Sequence, residues 1–245
     1  MSEQRKTESQ SSSPAVPDRS AEVSQHAAWI AEVSHELRLP IANVRLLVET
    51  LLDGALDDRD VARRMLERTK QEIDRLQSLV SDLLSVEKLA ETDEIKRQWV
   101  LLEAQARYAI DSTAALAKAN RVTVQLAIEP GFVIHANPEQ LDQVLLNLLE
   151  NAIKFTPPGG KVTLRSLSPG CFAVEDTGIG MPENEIPKIF NRFYRIDRSR
   201  ARGSTGLGLS IVKNILDLHG AKISVSSREG VGSTFTLDFS SPRTA

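Results

Sequence analysis

The chain has 245 residues, 41% of them hydrophobic and 26% charged, with 30 Lys and Arg against 33 Asp and Glu and a formal net charge of −3. That length can bury one large core or two small ones, and the near-balance of charge gives no general reason to expect binding to nucleic acid or an anionic membrane. A single cysteine, Cys171, excludes an internal disulfide and a cysteine-rich metal site, and its neighbours Phe172, Ala173 and Val174 predict a buried strand residue. No stretch approaches the roughly 18 consecutive apolar residues of a membrane-spanning helix, and the polar N-terminus lacks the apolar region of a signal peptide. The expected setting is a reducing cytoplasm, with no membrane segment in this chain.

Residues 1–24 are rich in Ser, Gln and charge, with Pro14 and Pro17, and predict a disordered or linker stub. From Gln25 to Asp53 the apolar positions Ile30, Val33, Leu37, Ile41, Val44, Val48 and Leu51 recur at spacings of three and four, the pattern of a helix with one apolar seam. Asp53-Gly54 ends it, and a second seam of Val61, Met65, Ile73, Leu76, Val80, Leu83 and Val86 runs to about Ala90. Residues 25–92 thus predict an antiparallel helical hairpin. A hairpin this thin cannot cover both of its apolar faces, so pairing with a second copy into a four-helix bundle is expected, and the partner is a homodimer mate.

The texture changes near residue 95 to short alternating helices and strands, and residues 96–241 predict an α/β sandwich, so the fold class is α+β. Helices are expected at 102–119, 138–154 and 207–219, and strands near 121–128, 132–135, 161–166, 171–175, 222–227 and 233–239. The stretch 182–206, dense in Arg, Pro and Gly, predicts a lid with at most a short helical turn around 186–190.

On the first helix, Ser34-His35-Glu36-Leu37-Arg38-Leu39-Pro40 places His35 about 200° from both Val33 and Leu37, and therefore on the solvent side. A neutral imidazole is a competent nucleophile toward phosphorus, and the neighbouring Glu36 carboxylate can take the other ring proton. Pro40 removes the donor that would pair with the Glu36 carbonyl, so a bend is expected just past the histidine. His26, His135 and His219 have no such surroundings and read as structural or surface residues, with His219-Gly220 as a helix end.

Four segments of the second part suit a nucleotide. In Asn147-Leu148-Leu149-Glu150-Asn151-Ala152-Ile153-Lys154-Phe155, residues 147, 151 and 154 share a helical face. There an amide oxygen can ligate Mg²⁺ and an ammonium can neutralise phosphate. Asp176-Thr177-Gly178-Ile179-Gly180 follows a strand, setting a carboxylate beside two glycines where backbone can approach a ligand. Tyr194 and Arg195 close Phe190-Asn191-Arg192-Phe193-Tyr194-Arg195, where the arginine can reach a terminal phosphate and the ring can pack near a base. Gly206-Leu207-Gly208 opens a helix whose free N–H groups favour phosphate oxygens.

The segment from Ser34 to Arg38 with Pro40 resembles the phosphoacceptor box of histidine kinases, and the four later segments resemble, in order, the N, G1, F and G2 boxes of their ATPase domain. The resemblance covers about residues 25–240. It implies a domain of the type shared with DNA gyrase and Hsp90, with ATP and Mg²⁺ as cofactors and Asn151 as the metal ligand. Lys154 and Asn147 would serve the phosphates and Asp176 would read adenine. Phe155, Gly178, Gly180, Tyr194, Arg195, Gly206, Leu207 and Gly208 would complete the site. His35, with Glu36, would take the phosphoryl group and pass it to an aspartate on a response-regulator receiver domain, with a separate sensor protein as a further partner. The competing readings are a nucleotide-binding scaffold without catalysis, against which every expected catalytic side chain is present, and a plain ATPase or protein-serine kinase, which would not need His35. In many relatives the position four after the histidine is Thr or Asn and orients water for dephosphorylation; here it is Leu39, which cannot hydrogen-bond water.

Overall fold

A computed structural model of the chain describes residues 19–90, 95–196 and 205–240. Two long helices come first, α1 (Arg19–Leu52) and α2 (Arg59–Ala90). The expected linker 1–24 falls mostly outside the described residues. Its last part, 19–24, is helical instead, because extending a formed helix through Ala21 and Glu22 costs far less than starting one. The turn forms at the predicted place: Gly54 takes φ 115°, which a side chain resists, and Asp58 Oδ1 then caps α2 by accepting the N–H groups of Asp60 and Val61 at 3.0 and 3.1 Å. Pro40 is buried inside α1 and does not end it.

The predicted seam divides in two. Val33, Leu37, Val44 and Leu51 are wholly or partly buried, whereas Ile30, Ile41 and Val48 are exposed, together with Leu46, Leu66, Ile73, Val80 and Leu84. An apolar stripe along the hairpin is therefore uncovered in a single chain.

The second part contains β1 (Gln98–Leu101), α3 (Leu102–Asn120), β2 (Thr123–Ala127), β3 (Val133–Ala136), α4 (Pro138–Phe155), β4 (Lys161–Ser168), β5 (Cys171–Asp176), α5 (Gly208–His219), β6 (Lys222–Arg228) and β7 (Gly232–Asp238). Five strands form one sheet in the order β2-β4-β5-β7-β6. Only β2 and β4 are parallel, as a crossover through α4 permits, and the other pairs are antiparallel. The unpredicted β1 pairs with β3 in a separate ribbon that sets Trp99 opposite His135. Cys171 lies in a strand as expected but is only partly buried, because it stands at the start of β5, ahead of the buried Phe172, Ala173 and Val174. The helical turn expected around 186–190 lies earlier, as a 3-10 turn at Glu183–Lys188, since Pro187 cannot donate in a longer helix.

Helix α4 packs between α3 and α5 and against the sheet. Leu145, Leu149 and Ile153 of α4, Leu164 and Phe172 of the sheet, and Ile211 and Ile215 of α5 are almost wholly buried, each contributing about 1.5–3 kcal/mol. This fixes the opposite face of α4, which carries Asn147, Asn151 and Lys154. Leu37 of α1 and Leu79, Leu83 and Val86 of α2 join the same core, so the hairpin is docked on the domain with α2 along α5.

His219 at the end of α5 is 5% exposed and structural. Its Nδ1–H donates to the Ile215 carbonyl at 2.8 Å and its Nε2 accepts the Asn137 N–H at 3.0 Å, which makes the ring neutral. Burial pushes its pKa below the ordinary value; the Ile215 bond opposes this, and Arg97 and His135 reinforce it. Asn137 Oδ1 caps α4 by accepting the Gln140 N–H at 3.1 Å, so one contact ties the start of α4 to the end of α5.

Candidate active site

A cavity of about 750 Å³ opens between α2, α4, the turn after β5, the lid entry and the start of α5. Asn147, Asn151, Lys154 and Phe155 line it from α4 with Glu150 between them. Lys154 Nζ lies 2.8 Å from Glu150 Oε2. The Asn147 side chain donates to the Gln143 carbonyl at 2.9 Å, and its Oδ1 faces Gly208 so closely that a Cβ there would stand 2.5 Å away. The absence of a side chain at Gly208 lets the start of α5 approach α4.

Asp176 ends β5 and is 9% exposed at the cavity wall. Its Oδ1 accepts the N–H groups of Gly178 at 2.8 Å and Ser233 at 3.2 Å. Burial raises its pKa, the two N–H bonds oppose that, and Glu175 adds to the rise. Gly178 supports this carboxylate without lining the cavity: a Cβ there would stand 2.6 Å from Asp176 Oδ1. Gly180, at φ 62°, does line it.

Tyr194 lines the cavity and its hydroxyl donates to Glu185 Oε2. Residues 197–204 of the expected lid lie outside the described residues. Gly206 and Gly208 line the cavity, but Leu207 does not: it is fully buried in the core, the only side chain between two glycines that can fill that space. Its N–H donates to Thr205 Oγ1 at 3.2 Å.

His35 and Glu36 stand outside the cavity. The His35 side chain is 60% exposed, and its Nδ1 is 3.9 Å from Glu36 Oε1, beyond hydrogen-bond reach. Glu36 Oε2 accepts instead from Arg75 Nη2 at 3.3 Å and Arg195 Nη2 at 3.1 Å. Arg195, expected at the phosphates, thus lines the cavity while reaching across to the residue beside His35.

Sequence reasoning missed four contributors: Arg75, Asp82, Thr205 and Ser233. The Thr205 hydroxyl donates to Asp82 Oδ2 at 2.6 Å, and Gln77, Ser78 and Ser81 share the α2 wall. Burial raises the Asp82 pKa, the Thr205 bond lowers it, Glu150 raises it and Lys154 lowers it. The one sequence signal was Ser81-Asp82 interrupting the apolar run of Leu79, Val80, Leu83 and Leu84.

The glycine clearances, the buried acceptor at Asp176 and the cavity's size fit a nucleotide. Among the described residues no group of three or more His, Cys, Asp or Glu could hold a metal ion. Among the described residues no helix is long and apolar enough to cross a membrane.

The chain thus has two parts, a hairpin with an exposed histidine and an α/β sandwich with such a cavity, docked on one another. Residues 25–92 match the family model of the His Kinase A (phospho-acceptor) domain, and residues 136–243 match that of the histidine kinase-, DNA gyrase B- and HSP90-like ATPase. The chain is 35% identical over 218 residues to the sensor histidine kinase WalK of Bacillus subtilis (strain 168), covering 85% of this chain and 36% of WalK. It is 36% identical over 223 residues to the phosphate regulon sensor protein PhoR of Pseudomonas aeruginosa, covering 89% of this chain and 50% of PhoR. The structure of histidine kinase ThkA in complex with response regulator protein TrrA is similar at TM-score 0.71 and 25% identity, covering 89% of this chain and 63% of that one. Full-length ShkA in complex with AMPPNP is similar at TM-score 0.60 and 29% identity, covering 86% of this chain and 45% of that one. The chain belongs to the sensor histidine kinases of two-component systems. It spans 36% and 50% of the length of these two curated relatives.

Proposed function

We propose that this chain binds Mg-ATP in the cavity, phosphorylates its own His35 and passes the phosphoryl group to an aspartate of a response-regulator receiver domain. The observation that carries the reading is the ion pair from Arg195, a cavity residue, to Glu36, the neighbour of the exposed His35. The cavity is thus bonded to the residue next to the proposed phosphoacceptor.

Asp176 Oδ1 is occupied by two N–H groups, so Oδ2 is the oxygen that would accept from the adenine amino group. Asn147 and Lys154 would meet the phosphates with the N–H groups at the start of α5. Asn151 would hold Mg²⁺, which when bound neutralises phosphate charge. In the transfer a ring nitrogen of His35 forms a bond to the terminal phosphorus as the bond to the ADP oxygen breaks. Glu36 takes the proton from the other ring nitrogen on Oε1, the oxygen that neither arginine holds, which requires the 3.9 Å gap to close to hydrogen-bond length. The exposed stripe of Ile41, Leu46, Ile73, Val80 and Leu84 supports a homodimer through the hairpin. A cytoplasmic site and a separate sensor partner are part of the same reading. Leu39, 46% exposed on the hairpin, offers no acceptor for water, so phosphatase activity toward the regulator is weak.

The test is incubation with γ-labelled ATP. Protein-bound label that is lost in acid and kept in alkali supports the reading; acid-stable label, or none on a chain that binds ATP, rejects it.

A further inference from the structure

Asp82 belongs to the hairpin, yet it lines the same cavity as Asn151, Lys154, Gly206 and Gly208. Its Oδ2 accepts from the Thr205 hydroxyl at 2.6 Å, and Thr205 Oγ1 in turn accepts the Leu207 N–H at 3.2 Å, at the start of α5. The carboxylate is therefore tied to the segment whose free N–H groups would receive phosphate. Among the described residues, Glu150 and Lys154 act on it across the cavity, and Lys154 is already paired with Glu150 at 2.8 Å. Among the described residues of the wall, acidic side chains outnumber basic ones: Asp82, Glu150, Asp176 and Glu229 against Lys154 and Arg195, the latter bonded to Glu36.

We infer that Asp82 makes the docked hairpin discriminate against a terminal phosphate, so that the docked arrangement favours the nucleoside diphosphate and the triphosphate loosens the Asp82–Thr205 latch. The inference rests on the reading of the cavity as an ATP site. A polyphosphate at the Gly206–Gly208 end brings several negative charges toward a partly buried carboxylate, where screening is weak. The third phosphate adds repulsion that the diphosphate lacks. Coupling is reciprocal: a latch that weakens triphosphate binding is itself weakened when the triphosphate binds. Release of the latch would free the ATPase domain from α2 to carry its nucleotide to His35, and formation of the diphosphate would let the latch close again. Asp82 in this role is a positioning residue.

The experiment titrates the whole chain with Mg-AMPPNP and with Mg-ADP, before and after Asp82→Asn. The amide keeps the size of the side chain and an oxygen for Thr205 but removes the charge. Mg-AMPPNP affinity should rise about tenfold while Mg-ADP affinity changes less than about twofold. Asp82→Ser should move the ratio the same way, and melting curves of the unliganded variants identify any that fail to fold. An equal change for both nucleotides would mean that Asp82 only holds the hairpin in place, and an unchanged ratio would equally overturn the inference while leaving the ATP site standing. If the native chain binds neither nucleotide, the reading of the cavity falls first and the inference with it.

Discussion

Replacing Asp176 by Asn separates its two tasks. One oxygen holds the Gly178 and Ser233 N–H groups at 2.8 and 3.2 Å; the other is the proposed acceptor for adenine. Asn keeps an oxygen for the first task and puts an NH₂ donor at the second, facing the donor of the adenine amino group. Losing that bond costs about 1–3 kcal/mol, or roughly a 5- to 150-fold loss in ATP affinity. Stability should hold or rise slightly, because burial already disfavours the charged carboxylate. Asp176→Ala instead strands two buried N–H groups at about 1–3 kcal/mol each, a large part of the roughly 5–15 kcal/mol that holds a domain folded. Urea unfolding measures stability, and equilibrium titration measures nucleotide affinity. ITP, whose base carries a carbonyl where adenine has its amino group, should gain on ATP in Asp176→Asn. Native ATP affinity and an unchanged ATP-to-ITP ratio in that variant would refute the assignment of Asp176 to adenine.

His219 predicts a pH dependence of stability. Its folded pKa lies below the ordinary 6.5, so the unfolded chain binds the proton first as pH falls; the stability is fully present above about 6.5 and lost on descent through the folded value. Unfolding free energy should fall by up to about 1.4 kcal/mol per pH unit over part of that range, and a slope in His219→Gln equal to the native one would contradict it. Leu39→Thr should speed dephosphorylation of the phosphorylated regulator by roughly 5- to 150-fold, the value of one positioning hydrogen bond. A native chain that already dephosphorylates rapidly, with no gain on substitution, would show that another group orients the water.

The hairpin was legible because spacings of three and four run through the first helix and, apart from the step from Met65 to Ile73, through the second, and Asp53-Gly54 marks the turn between them. The cavity-facing side of α4 was legible for the same reason: residues 147, 151 and 154 share a face whatever packs on the other side. The β1 strand escaped because Gln98–Leu101 is short and runs straight into α3, leaving no turn residue to mark it. Leu207 was misplaced because a motif names a segment and only packing says which way a side chain turns. Local pattern also says nothing of contacts between distant segments. The bond from Thr205 to Asp82 spans 123 residues and the one from Arg195 to Glu36 spans 159, and both exist only because the hairpin docks along α5.

The most direct test of the central claim is a paired measurement on His35→Gln: label transferred from γ-labelled ATP, and ATP affinity on the same sample. His35 lies on α1 outside the cavity, so the account predicts complete loss of acid-labile label with ATP affinity within about twofold of native. Acid-labile label persisting on His35→Gln would contradict it, because another residue would then be the phosphoacceptor.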